Sequence, residues 1–179
     1  MSTLNNSPLG DGSKIFLIGF MGSGKTHWGK IWAAKTGLLF FDLDEIIEQE
    51  EGKTIAAIFE QNGEAHFRQQ ESAVLKTLST NNNCIIACGG GTACFNNNMQ
   101  WMNENGTTIY LAATADEVYK RVITEQEKRP LIKNLSAADL LSFITQKLQE
   151  RDFFYTQAKI ILPVTTLNDN TIKSILKNA

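Results

Sequence analysis

Short apolar runs alternate with amphipathic stretches along the whole chain. The runs Ile15–Ile18, Leu38–Phe41, Cys84–Cys88, Thr107–Leu111 and Lys159–Leu162 read as strands. Four of the five are apolar through most of their length, the pattern of parallel strands covered on both faces. Between them, helical periodicity runs over Thr26–Thr36, Asp44–Glu51, Glu64–Leu78, Ala115–Thr124, Ala137–Thr156 and Asn170–Leu176. Strands interleaved with helices predict an α/β fold with a parallel sheet and right-handed crossovers. In such sheets a ligand sits beyond the carboxyl ends of the strands, which directs attention to the loops there.

The loop after the first strand carries the sharpest signal. Gly19-Phe-Met-Gly-Ser-Gly-Lys25-Thr26 matches G-x-x-x-x-G-K-[ST], with a strand before it and a helix after it. Glycines let the backbone curl and aim N–H groups inward, and the following helix offers its positive N-terminus. Lys25 adds a mobile charge for the β- and γ-phosphates, and the Thr26 hydroxyl can ligate Mg²⁺. The chain is therefore expected to bind a nucleoside triphosphate.

Other strand ends supply further polar groups. The second closes on Phe41-Asp42-Leu43-Asp44. One aspartate can anchor a hydrated magnesium and the other can accept a proton or hydrogen bond from an acceptor hydroxyl, against the alternative of a helix cap. The third ends in Gly89-Gly90-Gly91, one glycine more than a tight turn needs, and this favours a floor where a ligand touches backbone N–H groups. Arg68 opens a long helix, where a cation opposes the helix dipole; Glu64, Glu71 or a bound anion must compensate it. Glu125–Lys133 is charged and broken by Pro130, the composition of a mobile flap or of a solvated loop. Arg151 and Tyr155 share a helix face, which is unremarkable alone.

Length and charge narrow the classes. A chain of 179 residues is one domain's worth, and a net charge of −2 argues against broad attraction to nucleic acid. No apolar run approaches the roughly 18 residues of a membrane span. Met1–Ser13 is polar, lacks the pattern of a signal peptide, and reads as a flexible extension with a cytoplasmic address. Cys84, Cys88 and Cys94 lack a CxxC or a neighbouring histidine and read as reduced thiols, the first two on a buried strand.

The ordered set GxMGxGKT, DxD, GExxFRxxE, GGG, RPL and ERxxxY resembles shikimate kinase from about Ile15 to Leu176. The resemblance implies a three-layer P-loop kinase fold of the nucleoside-monophosphate-kinase type. It would comprise a five-stranded parallel sheet flanked by helices in a single domain, 14–179, with a mobile lid at about 124–136. It implies transfer of the γ-phosphate of ATP to the 3-hydroxyl of shikimate, with Mg²⁺. Gly22, Ser23, Gly24, Lys25, Thr26 and His27 would bind ATP, and Thr26 and Asp42 (through water) the metal. Asp44 would hold the shikimate hydroxyls and act as base, Arg68 and Arg151 would grip the carboxylate, and the Gly90 N–H would complete the floor. Arg129 in the lid would reach the phosphates and stabilise charge in transfer. A further lid contact falls to Lys120, Arg121 or Lys128. A monomer is expected. The rival readings are another small-metabolite kinase, such as a gluconate or nucleotide kinase, and a protein that binds ATP and signals through a partner.

Overall fold

Side-chain alternation along the first strand, β1 (Lys14–Ile18), sets up the layers. Phe16 and Ile18 enter one buried cluster and Ile15 and Leu17 another, so the strand is covered on both faces. The computed structural model describes residues 13–128 and 132–177. The expected extension therefore lies almost wholly outside the described residues, and so do Arg129, Pro130 and Leu131.

After β1 come α1 (Lys25–Thr36), β2 (Leu39–Asp42), α2 (Leu43–Glu51), α3 (Ile55–Leu78) and β3 (Cys84–Ala87). The second half holds α4 (Asn98–Asn105), β4 (Thr107–Ala112), α5 (Ala115–Val122), α6 (Ala137–Tyr155), β5 (Ile160–Pro163) and α7 (Thr171–Lys177). The five strands form one sheet in the order β2-β3-β1-β4-β5, and every pairing is parallel. Trp32 and Ala33 of α1 join Ile172 and Leu176 of α7 on one face. Leu43, Ile58, Leu75, Met102, Val118 and Ile144, from α2 to α6, cover the other. This is the expected three-layer α/β arrangement.

Three differences from the sequence pattern have physical reasons. The central strands are buried, but edge strands β2 and β5 are not covered on both faces: Leu39 is 53 % exposed and Ile161 46 %. The helix expected from Glu64 is preceded by a further helical stretch from Ile55, the two being separated by Gly63 at φ 80 and ψ 168. Helix α4 was not expected at all. Its asparagines are poor helix formers, and the burial of Asn98, Met99 and Met102 holds it in place.

Candidate active site

The phosphate loop is shaped by three glycines of positive φ, the first being Gly19 at φ 139. Gly22 lies at φ 75 and Gly24 at φ 95, and a Cβ on Gly22 would come within 2.8 Å of Val122. Ser23 between them is fully buried. Gly24 caps α1, so the loop delivers the backbone into the helix N-terminus. The Lys25 amine donates to the carbonyls of Gly19 (2.8 Å) and Phe20 (2.9 Å), which folds it over the loop.

Asp42 resolves a choice the sequence posed as an alternative. Its Oδ1 caps α2 by accepting the N–H of Asp44 (3.1 Å) and, at longer range, of Glu45 (3.4 Å). Its Oδ2 accepts the Thr26 hydroxyl at 2.6 Å. One oxygen is structural and the other faces the phosphate loop, where the Thr26 hydroxyl and the carboxylate form a pair of hard oxygen donors.

Asp44 lies at the centre of a carboxylate cluster. Its carboxyl is pushed up to about 6, first by burial and then by the neighbouring charges of Asp42 and Glu71; Lys25 and Arg68 pull the other way. Glu71 is fully buried and is satisfied on both oxygens, by the Thr92 hydroxyl at 2.6 Å and by Arg68 Nη1 at 2.8 Å.

The triple glycine is packed against these side chains one residue at a time. A Cβ on Gly89 would stand 2.7 Å from Asp44 Oδ1 and 2.9 Å from Glu71 Oε1. One on Gly90 would meet Arg151 Nη1 at 3.3 Å, and one on Gly91 would meet Arg68 Nη2 at 2.6 Å. Arg151 donates to the Gly90 carbonyl at 3.0 Å and lies 5.2 Å from the Phe20 ring centroid. The Tyr155 hydroxyl donates to the same carbonyl. Its phenol is pushed up chiefly by burial and stays protonated. Arg68 is compensated as the sequence required, by Glu64 Oε1 (3.1 and 3.2 Å) and Glu71.

These parts meet in a cavity of about 690 Å³. Gly22, Gly24, Lys25, Thr26 and His27 line one end, Asp42 and Asp44 the side, and Gly89 and Gly90 the floor. Arg68 and Arg151 adjoin that floor, against Gly91 and Gly90 respectively. His27 is exposed and packs edge-on to Trp28, 5.1 Å between centroids.

Several contributors were not assigned from the sequence. Arg121 Nη1 donates to the Gly22 carbonyl at 3.0 Å, and Arg121 lines the cavity. Trp28 and Thr124 also line it. The position of Arg121 depends on the phase of α5 against the loop, and no local signal carries that. Glu71 was visible as a motif residue, but its burial was not. The loop after β5 is tied to α1 by Trp32 Nε1 donating to the Asn168 carbonyl at 3.1 Å. All three cysteines are free, with Cys84 and Cys88 buried. Burial pushes the Cys88 thiol up, so it lines the cavity as an inert S–H.

Comparison with known proteins identifies the family. The shikimate kinase family model matches residues 21–179. A shikimate kinase of Azobacteroides pseudotrichonymphae is 42 % identical over 160 residues, covering 89 % of this chain and 94 % of that one. The crystal structure of shikimate kinase from Bacteroides thetaiotaomicron superposes with a TM-score of 0.85 at 36 % identity, covering 93 % of this chain and 95 % of that chain. Shikimate kinase from Acinetobacter baumannii, solved in complex with shikimate, gives 0.79 at 29 % identity, with 93 % and 89 % covered. A gluconokinase from Sinorhizobium meliloti reaches 0.54 at 15 % identity, over 93 % of this chain and 90 % of its own, a likeness of fold alone. The family match covers nearly the whole sequence, and the chain belongs to the shikimate kinase family.

Proposed function

We propose that the chain transfers the γ-phosphate of ATP to the 3-hydroxyl of shikimate, giving shikimate 3-phosphate and ADP. One observation carries the reading. A single cavity joins a phosphate loop to a carboxylate of raised pKa and to a glycine floor adjoined by two arginines. The shikimate bound to the Acinetobacter relative supports the acceptor.

The roles follow from the chemistry of each group. Backbone N–H groups of Gly22–Lys25 cradle the phosphates, and Lys25 meets the charge of the β- and γ-phosphates. Thr26 and Asp42, hard oxygen donors bonded to one another, fit magnesium, with Asp42 reaching it through water. Magnesium bound there neutralises phosphate charge. Asp44 orients the acceptor hydroxyl and takes its proton; a carboxyl near 6 is a stronger base than one at its ordinary value yet remains mostly ionised at pH 7. Arg68 and Arg151 bind the acid's carboxylate, and the Gly90 N–H completes the floor. His27 flanks the nucleotide, and Arg129 stabilises charge in transfer from a lid at 124–136. We read the chain as one domain, 14–179, preceded by an extension. We further read it as a monomeric cytoplasmic enzyme without nucleic-acid or membrane partners. Among the described residues no helix is long and apolar enough to cross a membrane.

The test is a coupled ADP-release assay with Mg-ATP and, separately, shikimate, gluconate and nucleoside monophosphates. Turnover with shikimate alone is expected. Turnover with another acceptor would keep the phosphate site and discard the acceptor, and ATP binding without any turnover would favour a binding protein.

A further inference from the structure

Arg68 is held on more sides than two carboxylates explain. Of the five N–H donors of a guanidinium, Nε and Nη2 each give one to Glu64 and Nη1 gives one to Glu71, leaving two for a ligand. The Glu64 side chain is 55 % exposed, and an exposed i,i+4 pair constrains little. Glu71 is buried but grips a single nitrogen, and the group can still pivot about that contact.

The turn after the triple glycine supplies the missing constraint. Asn96 at φ 51 and Asn97 at φ 54 are both left-handed, a conformation asparagine tolerates, and they reverse the chain. Asn96 Nδ2 donates to the Arg68 carbonyl at 2.7 Å. The Phe95 ring centroid lies 4.3 Å from Arg68 Cζ, nearer than those of Phe67 at 5.0 Å or Phe59 at 5.8 Å. The turn is itself anchored. Ser72 donates to Asn98 Oδ1 at 2.7 Å, and Asn98 Nδ2 donates to the Thr92 carbonyl at 3.0 Å. Phe95 remains 37 % exposed, so burial alone does not account for a phenyl ring there. The Arg68 side chain beneath it is only 11 % exposed.

We propose that Phe95 is a positioning residue for Arg68: its ring packs on the guanidinium, screens it from water and fixes the direction of the two remaining donors toward the acceptor's carboxylate. This rests on the reading of Arg68 as the carboxylate-binding group. The ring touches the arginine and acts through it, so its effect belongs in acceptor affinity, with ATP affinity untouched.

The experiment measures kcat and both KM values for the full chain, Phe95→Leu, Phe95→Tyr, Arg68→Ala and the Phe95→Leu/Arg68→Ala pair. Phe95→Leu keeps an apolar side chain and removes the π-face. It should raise the shikimate KM about threefold to fivefold, the size of a cation–π contact at a partly exposed site, with the ATP KM unchanged. Phe95→Tyr restores the face and should recover most of the loss. In the Arg68→Ala background Phe95→Leu should add nothing. A parental shikimate KM in Phe95→Leu, with a raised one in Arg68→Ala, overturns the role of Phe95 and leaves Arg68 in place. Equal rises in both KM values, or no recovery in Phe95→Tyr, make the ring a structural element and also overturn the proposal. A parental shikimate KM in Arg68→Ala defeats the carboxylate reading beneath it.

Discussion

Substituting Asp44→Asn separates what this carboxylate does for the reaction from what it costs the fold. Asparagine keeps the size and the hydrogen-bonding capacity and removes the charge. The Asp44 carboxyl has an ordinary value of 3.8 and is pushed up to about 6 in the folded chain, by burial first and then by Asp42 and Glu71. Lys25 and Arg68 oppose the shift and are already contained in the net value. A raised value means that the folded state binds the proton more tightly than the unfolded state. Between about pH 4 and 6 the folded chain carries a proton the unfolded chain has lost, and stability falls as pH rises through that window. Above it the ionised carboxylate costs the full difference, roughly 3 kcal/mol at about 1.4 kcal/mol per unit. Asp44→Asn removes that cost. At pH 7.5 it should be more stable by up to roughly 3 kcal/mol, or about 6–12 °C in Tm for a chain of this size, and the gap should close by about pH 4. Thermal unfolding of both proteins at pH 7.5, 6 and 4.5 reads this directly. In parallel kcat should fall at least about 100-fold, with ATP affinity largely intact, and the parental kcat/KM should drop as pH falls through about 6. A variant less stable than the parent at pH 7.5, or a Tm gap independent of pH, would refute the electrostatic argument. Near-parental turnover would remove Asp44 from proton transfer.

Two further substitutions probe the walls of the same cavity. Gly89→Ala drives a methyl group to 2.7 Å from Asp44 and 2.9 Å from Glu71, and the buried Glu71 cannot swing away. A loss of about 1–3 kcal/mol in stability and a lower kcat are expected from unfolding and turnover measurements; parental values would mean the carboxylates part freely. Arg121→Ala removes the hydrogen bond that ties α5 to the Gly22 carbonyl and should raise the ATP KM several-fold, about what one such bond contributes, with the shikimate KM unchanged. An unaltered ATP KM would return Arg121 to the surface.

The apolar runs foretold the five strands because a parallel strand writes its burial into consecutive residues, as Ile15–Ile18 and Cys84–Ala87 do. They failed for α4, where Asn98 and Asn105 weaken the local signal and tertiary burial of Met99 and Met102 decides the outcome. The phosphate loop was legible since its chemistry is contiguous. Asp42 was legible as two rival roles because a sequence names a residue, whereas the structure separates its oxygens: Oδ1 caps a helix and Oδ2 takes Thr26. The triple glycine marks the boundary most sharply. A missing Cβ is recorded in the chain, so the need for space at residues 89–91 could be read. What fills the space could not, because Gly89 faces Asp44 and Glu71, Gly90 faces Arg151 and Gly91 faces Arg68, side chains delivered by α2, α3 and α6. Each glycine admits a different charged group, so a methyl at each should damage a different function: that of the proposed proton acceptor at Gly89, and that of one or the other arginine proposed to bind the carboxylate at Gly90 and Gly91. That divergence is a property of how three helices converge on one turn, and only the folded chain contains it.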